Sequence, residues 1–320
     1  MDGPLPEYKT LALDFDMNKL QRHENHVPKM RTASFVNHLL ASLLVSSATS
    51  QTSTHNPRAG HSTRTNNSHH EQAHHRLARE AHLLSAARQF TCDSLAYGLR
   101  LDDCNYMASI GMLAQGRNDV TDNGRVWIGS DGANLFTFVN AAAGVPMTLV
   151  VWYAAPGDDQ ASFMNVRQPQ ITYSLPDKGS AVEVSVANGV PGGWSALYGR
   201  ATALTPYGQI DNTFGEFNSG AWATADVSRL VNMSGDAMAI RVYGRHDPRK
   251  GGVAPLCVSD FRQCVYTCSE EGVNSCGETG TYQLVNCAGP HAEHSVDQDG
   301  NPTGGCQGWS FGGRLEIILL

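Results

Sequence analysis

Within residues 212–242, NTFGEFNSGAWATADVSRLVNMSGDAMAIRV, Glu216 and Asp226 are the acids whose type and setting could do chemistry. Two carboxylates set across a cleft can serve as acid and base on a glycosidic bond, with their separation deciding retention or inversion. The same residues also have structural readings: Glu216 as a surface strand residue, and Asp226 as a cap on the turn at Val227, Ser228 and Arg229. Trp152, Tyr153, Trp194, Tyr198 and Trp222 could form a platform for stacking sugars, although aromatics on sheet strands more commonly fill a core. Asn232-Met233-Ser234 is a glycosylation sequon and predicts an exposed turn; Asn66-Asn67-Ser68 is a second one.

Other groupings are weaker. His69, His70, His74 and His75 could chelate zinc or copper if a helix aligned them, but they lie in polar text with no fixed geometry. Asp297, Asp299 and Asn301 begin like a calcium loop, yet Pro302 stands where that loop needs Gly, so the segment reads as a turn. No phosphate-binding Gly loop, zinc-protease motif or nucleophile elbow is present, and no cofactor is implied.

The elements that must position these groups follow from composition and spacing. The chain has 320 residues, 17% of them charged, a formal net charge of -7, and 32 glycines. The charge argues against nucleic acid or anionic membrane as partner. Eight cysteines (Cys92, Cys104, Cys257, Cys264, Cys268, Cys276, Cys287, Cys306) at irregular spacing suit disulfides in an oxidising compartment better than zinc, which needs paired C-x-x-C units. Of the 105 possible pairings, we expect Cys92 with Cys104, Cys287 with Cys306, and pairing within the 257–276 cluster.

Residues 30–50 carry a basic residue, a short apolar run and small residues, the pattern of a signal peptide. The run is shorter than the roughly 20 residues that span a bilayer, so no membrane anchor is expected. Residues 1–29 then read as an upstream extension outside the mature protein, and 51–85 as a disordered His/Ser/Thr-rich linker or propeptide. Residues 80–89 have the composition of a short helix, and 86–119 form a small Cys-bracketed segment.

From residue 120 onward, short β-branched and aromatic runs alternate with Gly, Pro and Asp turns. Strands are expected at 126–128, 135–139, 148–153, 170–175, 181–186, 194–198, 213–217, 222–227, 237–242, 281–286 and 314–320. This spacing predicts an all-β antiparallel sandwich over 120–320 with a Cys-rich C-terminal part. Val182, Val184 and Val186 should face its core with Glu183 outward. Phe214 and Phe217 cannot share a face of a regular strand, which suggests a bulge at Gly215. The terminal LEIILL run should dock centrally.

The runs VWIGSDGANLFTFVN, LVVWYAAPGD, GGWSALY, NTFGEFNSGAWATADVSRLVNMSG and CVSDFRQCVYTC resemble the secreted fungal allergen family of the Asp f 4 type. That resemblance, over about 122–306, implies an extracellular protein bound by IgE of sensitised hosts, with no known enzyme activity. A more distant likeness is to thaumatin-like proteins, through Thr213-Phe214-Gly215-Glu216-Phe217 followed by Asp226-Val227-Ser228. It implies a sandwich, with Glu216 and Asp226 as acidic cleft members and Arg200 as the cleft arginine. The second cleft Asp has no counterpart here. The activity so implied is binding or weak hydrolysis of cell-wall β-1,3-glucan.

Overall fold

A computed structural model describes residues 90–276, 281–298 and 300–320. The readings of 1–29, 30–50 and 51–85, the helix at 80–89, the histidine group His69, His70, His74 and His75, and the sequon at Asn66 lie outside the described residues.

One helix, α1 (Leu101–Ser109), precedes the strands. These run β1 (Val126–Ile128), β2 (Asn134–Asn140), β3 (Met147–Tyr153), β4 (Ile171–Leu175), β5 (Ala181–Val186), β6 (Pro191–Tyr198), β7 (Phe214–Asn218), β8 (Thr224–Ser228), β9 (Met238–Gly244), β10 (Cys257–Ser259), β11 (Val265–Cys268), β12 (Tyr282–Val285), β13 (Ala292–Val296), β14 (Pro302–Cys306) and β15 (Gly313–Leu319). They form two sheets, β1-β5-β2-β15-β9-β10 and β12-β11-β8-β7-β6-β3-β4. The β13–β14 hairpin joins the second sheet through one bridge, Cys306 to Ala225 of β8. Pairing is antiparallel except for β15 with β2 and β11 with β8, which are parallel. The terminal strand is central, between β2 and β9, as its apolar run requires.

The two sheets differ in what covers them, and their sequences show it. The first has one face on the core and one in solvent, so Val182, Val184 and Val186 are buried while Glu183 is partly exposed and ion-paired to Arg249 at 3.1 Å. Leu315, Ile317 and Leu319 point inward in the same rhythm, and Glu316 meets Arg241 outside at 3.2 Å. The second sheet is covered on both faces. Its inner face meets the first sheet around Phe136, Phe138, Trp194, Phe217 and Trp309, in ring contacts 5.0 to 5.8 Å apart. On its outer face Leu99, Cys104, Met107 and Met112, from α1 and its flanks, pack on Val150, Trp152, Leu197 and Phe214. Residues 90–119 are therefore a lid on the sandwich, and β3 is buried along nearly its whole length.

That double cover corrects the expected bulge. Strand β7 keeps a regular register from Phe214↔Ser228 to Asn218↔Thr224. Phe217 enters the sandwich core and Phe214 enters the outer cluster, edge-on to Trp152 at 4.9 Å. Gly215 serves the packing instead. A Cβ there would stand 2.1 Å from the Trp194 ring, so the glycine makes room for a core indole.

All eight cysteines are paired: Cys92–Cys104, Cys257–Cys306, Cys264–Cys287 and Cys268–Cys276. The expected Cys287–Cys306 bridge is replaced. The antiparallel pairing of β11 with β12, Val265↔Val285, brings Cys264 beside Cys287. Cys306, on β14 of the second sheet, instead reaches Cys257 on β10 of the first. The 257–276 cluster consequently pairs internally only through Cys268–Cys276.

Candidate acidic site on the outer face of the second sheet

The hairpin from β7 to β8 places Glu216 directly opposite Asp226. Side chains alternate along strands, so Glu216 shares the outer face with Thr224, Asp226 and Ser228, while Gly215, Phe217, Ala225 and Val227 face inward. Directly opposed residues have Cβ atoms roughly 4.5–5.5 Å apart, so the two carboxyls are neighbours by construction. On the other flank Glu216 pairs with Gly193 of β6, and the indole of Trp152 lies against that glycine.

Asp226 sits where the far-side partner of β8 changes. Its neighbour Ala225 bridges Cys306 of β14, while Val227 and Ser228 pair with Val265 and Tyr266 of β11. Gly305 of β14 covers it closely: with φ +137, a Cβ there would lie 2.5 Å from Thr224 Oγ1, 3.0 Å from the Ala225 carbonyl and 3.1 Å from Asp226 Oδ2. Tyr266 and Tyr282, with rings 6.0 Å apart, complete the surround. Asp226 is 0% exposed, whereas Glu216 retains some accessible surface.

The electrostatics follow from burial without a cation. Among the described residues no Lys or Arg forms an ion pair with either carboxyl. The sequence neighbour Arg229 is turned away, its guanidinium over the Phe261 ring at 4.3 Å and donating to the Met233 carbonyl. Desolvation raises Glu216 to about 7, opposed in part by a hydrogen bond with Ser228. Desolvation, and then the charge of Glu216, push Asp226 well above the usual carboxylate range. Burial, followed by the charges of Asp226 and Glu216, raises the Tyr266 phenol. Tyr282 is also raised, by burial first and then by Asp297 and Glu216. Neither Asp226 oxygen accepts a hydrogen bond from a conventional donor. A carboxyl opposite it can supply one only by carrying a proton, the form that burial of both groups favours.

Asp226 therefore does not cap a turn; it is the third residue of a five-residue strand and makes no bond to backbone. Arg200 is not part of this site. It lies beyond the far end of β6 with φ +55, paired to Asp103 at 3.0 Å and Asp102 at 3.4 Å, and so ties that loop to α1. The strand from Gly193 to Tyr198 alone separates it from Glu216 by roughly 16 Å. The aromatic group is likewise dispersed: Trp194 and Tyr198 are in the sandwich core, Trp152 is under the lid, Tyr153 is partly buried, and Trp222 is 54% exposed in the β7–β8 loop. Asn232 lies in a turn, accepting from Ser234 N at 2.8 Å and donating to Asp211 Oδ1 at 2.9 Å. Asp297 closes a turn by accepting from Asn301 N at 2.8 Å. Thr224, Tyr266, Tyr282 and Gly305 were not signalled by any sequence motif.

No protein-family model matches the chain. A stretch of 33 residues is 61% identical to the phosphatidylinositol transfer protein SFH5 of Chaetomium globosum. The match covers 10% of this chain and 8% of that protein's length, too little to show a family. Among solved structures, IP-1A of Alcaligenes faecalis aligns over 58% of this chain and 90% of its own, at 10% identity and a TM-score of 0.20. A superposition that poor carries no argument about fold or function.

Proposed function

We propose that this chain is a secreted fungal protein, allergen-like in being bound by host IgE, that acts outside the cell or in its wall without catalysis. The observation that supports this best is the pairing of all eight cysteines, which suits an oxidising compartment. Against catalysis stands the burial of Asp226: retaining hydrolysis needs both carboxyls on the sugar, about 5–5.5 Å apart, and Asp226 is 0% exposed. The test is N-terminal sequencing of protein recovered from culture medium. A start downstream of residue 50 is expected; recovery only from cell lysate with Met1 intact would sink the proposal.

A second reading is favoured by Trp222, exposed at the loop end of the hairpin that carries Glu216. An exposed indole on the same hairpin as a partly open carboxyl can stack on a sugar while the carboxyl accepts its hydroxyls. The ligand would be β-1,3-glucan of the cell wall, and any hydrolase activity would be on that polymer. In a pull-down on insoluble β-1,3-glucan, wild type should be retained and Trp222→Ala and Glu216→Gln should be retained less. Failure of wild type to bind removes this reading and leaves the first intact.

A further inference from the structure

Sulfurs of two different bridges meet in the core between the sheets. Cys257, Cys264 and Cys306 are all buried there, with their Sγ atoms within 4.8 Å of one another. Cys257–Cys306 is one bridge and Cys264–Cys287 another, so these sulfurs are already bonded in pairs and offer no thiolate to a metal ion. The grouping instead sets one end of a disulfide against both sulfurs of a second. Cys287, at the other end, is placed differently: it is only partly buried, and its Sγ lies 3.3 Å from the Glu293 carbonyl in an exposed contact. One bridge therefore runs from the surface inward, from Cys287 to Cys264, which is 1% exposed. Its buried end stands beside a bridge whose Cys306 is 0% exposed.

We propose that Cys287 is a site of S-thiolation by low-molecular-weight thiols, and that exchange there is relayed through Cys264 to open the buried Cys257–Cys306 bridge. A small thiolate attacks Cys287 Sγ; its bond to Cys287 forms, the Cys264–Cys287 bond breaks, and Cys264 leaves as a thiolate. Burial destabilises that thiolate and keeps it basic, hence nucleophilic, beside two bonded sulfurs. It attacks one of them. A bond from Cys264 to Cys257 or to Cys306 forms, the Cys257–Cys306 bond breaks, and the displaced sulfur takes up a proton. Disulfides are conserved in number and one thiol replaces another, so the attacking thiol is the only co-reactant. The other bridges lack this arrangement. Cys92 is also partly exposed, but its partner Cys104 lies in the outer cluster, and the described residues place no third sulfur beside that pair. Cys268 and Cys276 are both buried. Either product of the relay unties β14 from β10 of the first sheet. Nothing in this chemistry depends on secretion or on glucan.

Folded full-length protein is incubated with reduced glutathione at about pH 8, where part of the thiol is thiolate. Free thiols are then capped with N-ethylmaleimide and the protein is mapped as unreduced peptides. Expected are glutathione on Cys287, a new bridge from Cys264 to Cys257 or Cys306, and a capped thiol on the remaining member of that pair. Cys92–Cys104 should open, if at all, to glutathione on Cys92 and a capped Cys104, with no new pairing. The double variant Cys264→Ser with Cys287→Ser lacks the entry bridge and should open Cys257–Cys306 roughly tenfold or more slowly. Circular dichroism checks that this variant is folded; if it is not, the wild-type map decides alone. The proposal is overturned if wild type carries no glutathione on Cys287, or if Cys264 is capped while Cys257–Cys306 stays closed. Opening of Cys257–Cys306 at the wild-type rate in the folded double variant would overturn it equally.

Discussion

The thermal midpoint falls as pH rises from 5 to 8, and Glu216→Gln removes much of that fall. The sign follows from linkage. Glu216 titrates near 4.5 when unfolded and at about 7 when folded, so between those values the native state holds a proton that the unfolded chain has released. Stability from this group is complete below about 4.5 and is lost as pH rises through about 7. Each pH unit crossed removes about 1.4 kcal/mol, or on the order of 3 kcal/mol over the window. In a domain of this size that corresponds to a Tm change of roughly 6–12 °C. Asp226, raised by desolvation and then by the charge of Glu216, and Asp236, raised by burial, add in the same direction. Asp158 works at the acid end, since its hydrogen bond to Arg167 holds it low and its contribution is lost only as pH falls. The check is calorimetry or circular dichroism of wild type, Glu216→Gln and Asp226→Asn across this range. A wild-type midpoint that is flat or rises would contradict the burial of the two acids in their uncharged form.

The second large effect belongs to the bridge between the sheets. Replacing Cys257 and Cys306 together by Ala should cost about 4 kcal/mol, because the bridge closes a loop with a sequence separation of 49 residues. The Cys268–Cys276 bridge spans a separation of 8 and should matter less. Denaturant midpoints of the two double variants check the order. Cys257–Cys306 also holds the β13–β14 hairpin, which otherwise joins the sheet by a single bridge, over Asp226. Its loss should therefore reduce the pH dependence as well as the stability, by exposing the acid.

Much of the architecture was legible from local pattern. The strand at 181–186 has the expected bounds, and the terminal strand is central, because β-branched alternation and an apolar terminus each have one good place to go. What escaped were elements held by partners distant in sequence. Strands β10, β11, β13 and β14 are short, and all but β13 carry Cys or Gly; they exist because disulfides and neighbouring strands hold them. Helix α1 was not legible either; LDDCNYMAS is only weakly amphipathic, and its place is set by Cys92–Cys104 and the outer cluster.

The acidic pair was half legible. Glu216 and Asp226 stand equally far from Ala221, so a regular hairpin centred there must oppose them, and the text between carries the Gly and Ser of a turn. Their burial was not legible, because Tyr266, Tyr282 and Gly305 arrive 40 to 79 residues after Asp226. Arg200 shows the converse error: motif order placed it near the acids, whereas the length of β6 carries it to α1.

Glu216 and Asp226 acting as a buried, proton-sharing pair is the central claim. Carboxyl-carbon NMR titration of the protein reads it residue by residue, with Glu216→Gln and Asp226→Asn giving the assignments. The expected result is a Glu216 midpoint near 7, an Asp226 midpoint far above the ordinary range, and a shift of each when the other is replaced. Two independent midpoints below 5 would contradict it.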